Sequence, residues 1–238
     1  MPSLPAPARR ARKITKATRK PSRQAWPPPP SRVAAILRDL DRLYPSADCA
    51  LVRDDPFQLL CATILSAQCT DERVNMVTPT LFARFSTPAA MAKAPSAVLE
   101  NIIRSTGFFR NKAKNLIGAA QVLDEKWHGE VPRSMAALLE LPGVARKTAN
   151  VVLGTAFGIA EGVVVDTHVT RLAQRLGLTR ATAAEPIERD LMEIIPKQRW
   201  ILFSHQIIWH GRRICRAHKP DCDACPLVPH CPSAFREA

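Results

Sequence analysis

No uncharged apolar run in this chain is long enough to cross a bilayer: the longest, residues 151–160, falls far short of the roughly 20 residues that a membrane helix needs. The apolar h-region of a secretory signal is also missing, so the seven cysteines are expected to stay reduced rather than pair as disulfides. Acidic residues are absent from the first 30 positions, which hold eight cations: Arg9, Arg10, Arg12, Lys13, Lys16, Arg19, Lys20 and Arg23. Those eight take most of the formal net charge of +13 and leave +5 for residues 31–238. Pro2, Pro5, Pro7, Pro21 and the run Pro27 to Pro30 deny this stretch a packed helix, so residues 1–30 read as a disordered basic tail. The same prolines argue against the amphipathic helix of an organellar transit peptide. Such a tail either solubilises the chain or grips phosphates, and the basic excess favours a polyanionic partner. No repeat of fixed period occurs, which excludes solenoids and propellers.

What is present is a chain of 238 residues, 46% hydrophobic, enough for one large or two small domains with a real core. After Ser31 the pattern is helical almost throughout. Val33, Ile36, Leu37, Leu40 and Leu43 share one stripe. So do Phe57, Leu60, Cys61, Ile64 and Leu65; Ala113, Leu116, Ile117, Ala120, Leu123 and Trp127; and Ile187, Leu191, Ile194 and Ile195. Pro45, Pro56, Pro95, Pro132 and Pro142 punctuate the segments. Only residues 162–165 look strand-like, and one short run cannot make a sheet, so the expected fold is all-α with about ten or more helices.

Four cysteines, Cys215, Cys222, Cys225 and Cys231, fall within the last 24 residues with the spacing C-x6-C-x2-C-x5-C. Thiolates this crowded repel one another unless a cation or cluster holds them. Common structural zinc sites use two C-x2-C knuckles or a knuckle plus a histidine pair, whereas here a single knuckle is flanked by lone cysteines. On the residues alone, zinc and an iron–sulfur cluster both remain open.

A second dense stretch runs through Leu141, Pro142, Gly143, Val144, Ala145, Arg146, Lys147, Thr148 and Ala149. One helix enters Pro142-Gly143 and another resumes at once, a helix-hairpin-helix over about residues 134–158. The glycine supplies the unusual dihedrals, and the second helix leaves its first N–H groups free for a phosphate oxygen. A bare Pro-Gly would suit an ordinary αα turn. The cations that follow it favour an anionic partner instead.

Taken in order, SAQCTD at 66–71, LPGVARKTAN at 141–150, VDTH at 165–168, WHGR at 209–212 and the four-cysteine array resemble the endonuclease III family of helix-hairpin-helix DNA glycosylases and abasic-site lyases. The likeness spans about residues 31–232. It implies a two-lobed fold, with a six-helix barrel over residues 49–160 and a discontinuous cluster lobe from residues 31–48 and 161–238. It also implies that Cys215, Cys222, Cys225 and Cys231 hold a [4Fe–4S] cluster, and that a monomer acts on double-stranded DNA containing a damaged base or abasic site. The expected setting is the cytoplasm of a bacterium, at the nucleoid, with no membrane association.

By the same resemblance Lys147 is the nucleophile and Asp166 the essential carboxylate. An amine that attacks C1′ displaces the base, and the resulting Schiff base permits β-elimination of the 3′ phosphate, which no hydroxyl could achieve. The helix dipole and adjacent Arg146 are expected to favour the neutral amine. Read without the family, Lys147 is a phosphate contact and Asp166, ahead of Thr167, His168 and Val169, a helix N-cap. Gln68 matches the family's polar plug and Phe108 its apolar wedge for the space left by a flipped nucleotide, with adjacent Phe109 as the competing wedge. On their own, Gln68 reads as a solvent-facing helix end and Phe108 as a core side chain. Gly143, Ala145 and Arg146 in the hairpin, and Arg216, His218 and Lys219 between the first two cluster cysteines, are the implied phosphate contacts.

Two features depart from the motif or lie outside it. Ala145 stands where the family hairpin usually has a second glycine, and alanine at positive φ would weaken the phosphate grip. Cys49, Cys61 and Cys69 lack ligand spacing and read as small apolar fillers, and His168 and His205 as helix-packing residues. A monofunctional adenine or mismatch glycosylase would lack the hairpin lysine. A non-catalytic helix-hairpin-helix DNA-binding module would need neither Lys147 nor Asp166, and both are present.

Overall fold

The structure, a computed structural model, describes residues 26–236. The expected basic tail therefore lies, up to residue 25, outside the described residues. The described chain forms eleven α-helices: α1 (Pro30–Leu43), α2 (Pro56–Leu65), α3 (Asp71–Arg84), α4 (Pro88–Ala92), α5 (Ser96–Ile103), α6 (Phe109–Trp127), α7 (Met135–Leu139), α8 (Arg146–Phe157), α9 (Thr167–Arg175), α10 (Ala184–Ile194) and α11 (Trp200–Arg213). Short 3-10 turns at Arg104–Thr106, Lys197–Arg199 and Val228–His230 complete it. No strand occurs among the described residues. Residues 162–165 join no ladder: the Val164 N–H donates to Ser204 Oγ at 3.0 Å instead of to a neighbouring strand. Val163, Val164 and Val165 are buried, so the run is apolar because helices cover it.

Local chemistry sets the helix starts. Asp55 accepts from the Gln58 N–H at 2.8 Å ahead of Pro56, and Thr70, Thr87 and Ser134 cap α3, α4 and α7 in the same way. The stripe predicted for α2 is incomplete. Phe57 and every residue from 59 to 65 are buried, because α3, α6 and α8 all pack on this helix. It is the central helix of its core.

Two hydrophobic cores form. One is built from α2 to α8, with Leu60, Leu65, Leu81, Leu99, Leu116, Leu123 and Leu153 sealed from solvent. The other joins α1 to α9, α10 and α11 through Leu40, Leu172, Leu191, Phe203 and Ile207. Burying one such side chain contributes about 1.5–3 kcal/mol, so α1 docks with the C-terminal helices despite the distance in sequence. Polar bridges link the two cores. Arg212 Nη2 meets Asp71 Oδ2 at 2.5 Å, Trp209 Nε1 donates to the Asp48 carbonyl at 3.1 Å, and Arg146 pairs with Glu188.

Candidate functional site

The hairpin between α7 and α8 is pinned from below and open above. Leu141 and Val144 are buried, whereas Gly143, Ala145, Arg146 and Lys147 face solvent. Gly143 has φ +77°, and a Cβ there would sit 2.7–2.9 Å from the Asn115 side chain, so both dihedral and space demand glycine. Ala145 is the N-cap of α8 with φ −94° and ψ 171°, extended backbone that any residue adopts. The expected cost of alanine at positive φ does not arise. No side chain caps α8, so its first N–H groups open onto the exposed turn.

Lys147 occupies that first turn. Arg146 is turned away from it: Nε lies 2.8 Å from Glu188 Oε2 and Nη2 3.0 Å from Oε1, with Asn150 Nδ2 also donating to Oε1 at 2.9 Å. The carboxylate raises the Arg146 pKa and fixes its charge. Arg146 therefore offers the hairpin a backbone N–H, while its guanidinium is matched by a buried anion rather than standing free beside Lys147. A Cβ on Gly162 would collide with both Glu188 and Asn150, which explains the glycine at that crossing. Sequence reading missed this network; a glutamate on the Ile187 and Leu191 face was its only signal.

Asp166 is the N-cap of α9, its Oδ1 accepting from the Val169 N–H at 2.8 Å. The capping expectation holds, and the half-buried carboxylate sits where the extended segment enters the second core. His168, two residues on, has its pKa lowered by burial, against the opposing pull of Asp166. His205 is likewise lowered by burial.

Gln68 and Phe108 share an unusual geometry. Both lie in left-handed backbone, with φ +52° and +47°, and both are exposed. Phe108 is 67% exposed, so its reading as a core side chain is wrong. Phe109 instead packs partly buried against the first core, with the Arg104 and Arg110 guanidinium groups 5.4 and 5.2 Å from its ring. Beneath these two loops lies Lys112, 4% exposed, whose Nζ donates to the Leu65 carbonyl at 2.8 Å and the Thr106 carbonyl at 2.7 Å.

Cys215, Cys222, Cys225 and Cys231 line one cavity, with no disulfide among the described cysteines. Burial pushes the Cys225 thiol up to about 11, and the other three cysteines add to the shift. The set thus favours ionisation only around a cationic centre. Four thiols around one cavity are a donor set that suits a metal ion or a metal cluster. Arg175 Nη1 lies 3.4 Å from Cys215 Sγ, and His210 Nε2 3.4 Å from Cys225 Sγ. Arg175 also donates to the Arg216 and Ala217 carbonyls at 2.7 and 3.1 Å, holding the exposed loop of Arg216, His218 and Lys219.

Residues 61–197 match the HhH-GPD superfamily of base excision DNA repair proteins. Endonuclease III of Synechocystis sp. is 59% identical over 203 residues, covering 85% of this chain and 93% of that protein. Endonuclease III of Bacillus subtilis is 44% identical, with coverage of 84% and 91%. A solved trapped endonuclease III–DNA covalent intermediate superposes with a TM-score of 0.83 at 43% identity, over 87% of this chain and 97% of that one. The chain belongs to the HhH-GPD superfamily of base excision DNA repair proteins and, within it, to the endonuclease III family.

Proposed function

We propose that this chain removes oxidised pyrimidines from double-stranded DNA and then cleaves the abasic strand by β-elimination, with Lys147 forming the Schiff base. The observation that carries this reading is an exposed lysine in the uncapped first turn of the hairpin helix, in a chain 43% identical to the protein of a trapped covalent DNA intermediate. The hairpin N–H groups around Gly143, Ala145 and Arg146 donate to a phosphate and bring the sugar to Lys147. The Lys147 amine attacks C1′, the base departs, and loss of the 2′ proton expels the 3′ phosphate. Asp166 stabilises positive charge on the sugar and accepts a proton while capping α9.

Gln68 and Phe108 support base extrusion. Left-handed backbone at non-glycine residues costs on the order of 1–3 kcal/mol each, persists only where the surrounding structure holds it, and clusters at functional sites. An exposed phenylalanine on such a turn suits a wedge between bases better than Phe109, which is engaged by the core and two arginines. Cys215, Cys222, Cys225 and Cys231 would hold a [4Fe–4S] cluster, which when bound supplies a covalent cross-link for a segment with little core of its own. Arg216, His218 and Lys219 then face phosphates from the loop between the first two ligands. The active form is a monomer.

The test is single-turnover reaction with duplexes carrying an oxidised thymine, an oxidised guanine or a thymine–guanine mismatch. The expected result is selective release of the oxidised thymine with a nicked strand ending in the unsaturated aldehyde of β-elimination. An intact abasic strand would overturn the lyase half, and selective release from either of the other duplexes the pyrimidine half.

A further inference from the structure

We propose that Lys112 is a positioning residue which holds the Gln68 loop and the Phe108 loop at one fixed separation, so that plug and wedge enter a duplex as a unit. This rests on the reading of those two residues given above. Lys112 lies in the first turn of α6, and its side chain runs inward along the stripe that carries Ala113 and Leu116. Its Nζ reaches the carbonyl of Leu65, the last residue of α2 and three before Gln68. The same Nζ reaches the carbonyl of Thr106, two residues before Phe108. Its own backbone N–H donates to the Phe108 carbonyl at 3.0 Å. One residue thereby grips both loops next to their left-handed positions.

A side chain that only filled core space would be apolar, because burying an ammonium is costly without acceptors. The two acceptors here are backbone groups at the ends of helical elements, and the Leu65 carbonyl belongs to the electronegative end of α2. Removing the amine leaves both carbonyls buried and unpaired, and lets the loops move independently. Burial lowers the Lys112 pKa, with Cys69 opposing that shift. Positive φ at Gln68 and Phe108 needs neighbours that over-determine it, and Lys112 is the group common to both loops.

The test is a double-mutant cycle in the full, cluster-loaded chain, read by single-turnover excision of a paired oxidised pyrimidine and cleavage of the same duplex with a pre-formed abasic site. Lys112→Met should slow the paired lesion at least about tenfold more than the abasic site, because only the former needs extrusion. Phe108→Ala, costly in the parent, should cost less than about twofold in the Lys112→Met background, since coupled residues are non-additive. Lys112→Gln, which keeps donors on a shorter chain, should fall between the two and supplies the same cycle where Lys112→Met fails to fold. Equal slowing on both substrates, or full additivity with Phe108→Ala, would leave Lys112 a core residue only and overturn the proposal. A parent Phe108→Ala that slows both substrates alike would instead remove the wedge reading, and the proposal with it.

Discussion

The carboxylate of Asp166 caps α9, and the reaction role proposed for it separates chemically from that cap. Asparagine caps as well as aspartate, so Asp166→Asn should leave the melting temperature within a few degrees while reducing base excision by at least about 10²-fold. Full activity would leave the cap as the only role. His205 provides a second residue-level test. Burial lowers its pKa, opposed by Asp48, so the folded state takes up a proton less readily than the unfolded chain, which does so below about pH 6.5. Stability should therefore fall as pH drops through that value, and replacing His205 with Gln should flatten the dependence of melting temperature on pH between 7 and 5. An unchanged slope would assign the acid sensitivity to other groups. The hairpin turn that carries Lys147 and the helix cap at Asp166 were legible in the sequence because short motifs carry them. The exposure of Phe108 was not, because a positive φ after Gly107 decides which of two adjacent rings faces water. Lys112 was not, because a lysine on an apolar stripe reads as solvated until its carbonyl partners are seen.

At the scale of the element, the hairpin joins a position that requires glycine to one that does not. Gly143→Ala should destabilise the fold by about 1–2 kcal/mol from the left-handed dihedral alone, with a further loss from the collision with Asn115, and should weaken binding to abasic duplex. Ala145→Gly should change binding by less than about twofold, since the extended backbone at this position strains neither residue and both leave the same N–H groups free. A tenfold gain in affinity would show that the second glycine matters after all. Most helices were readable from the 3.6-residue period, because each buries one face. The exceptions have a common cause. The helical stripe of α2 did not show how completely that helix is buried, and residues 162–165 looked strand-like, because other elements cover both segments on nearly every side.

At the scale of the whole molecule, two cores share one chain that leaves the second after α1 and returns to it at residues 160–163. Composition could not show this, because the docking of α1 against α11 depends on contacts far apart in sequence. The cysteine cavity belongs to the second core. Cys225→Ser should lose about four irons per chain and lower the melting temperature, with the loop of Arg216, His218 and Lys219 released and affinity for DNA reduced. Protein that keeps its iron or its affinity would dissociate the cavity from binding. The central claim is that hairpin and amine act together on the sugar. Borohydride reduction in the presence of abasic duplex tests it most directly. The parent chain should give one covalent adduct that maps to Lys147, and Lys147→Gln should give none while retaining most abasic-DNA binding. An adduct that persists in Lys147→Gln, or that maps to another lysine, would contradict it.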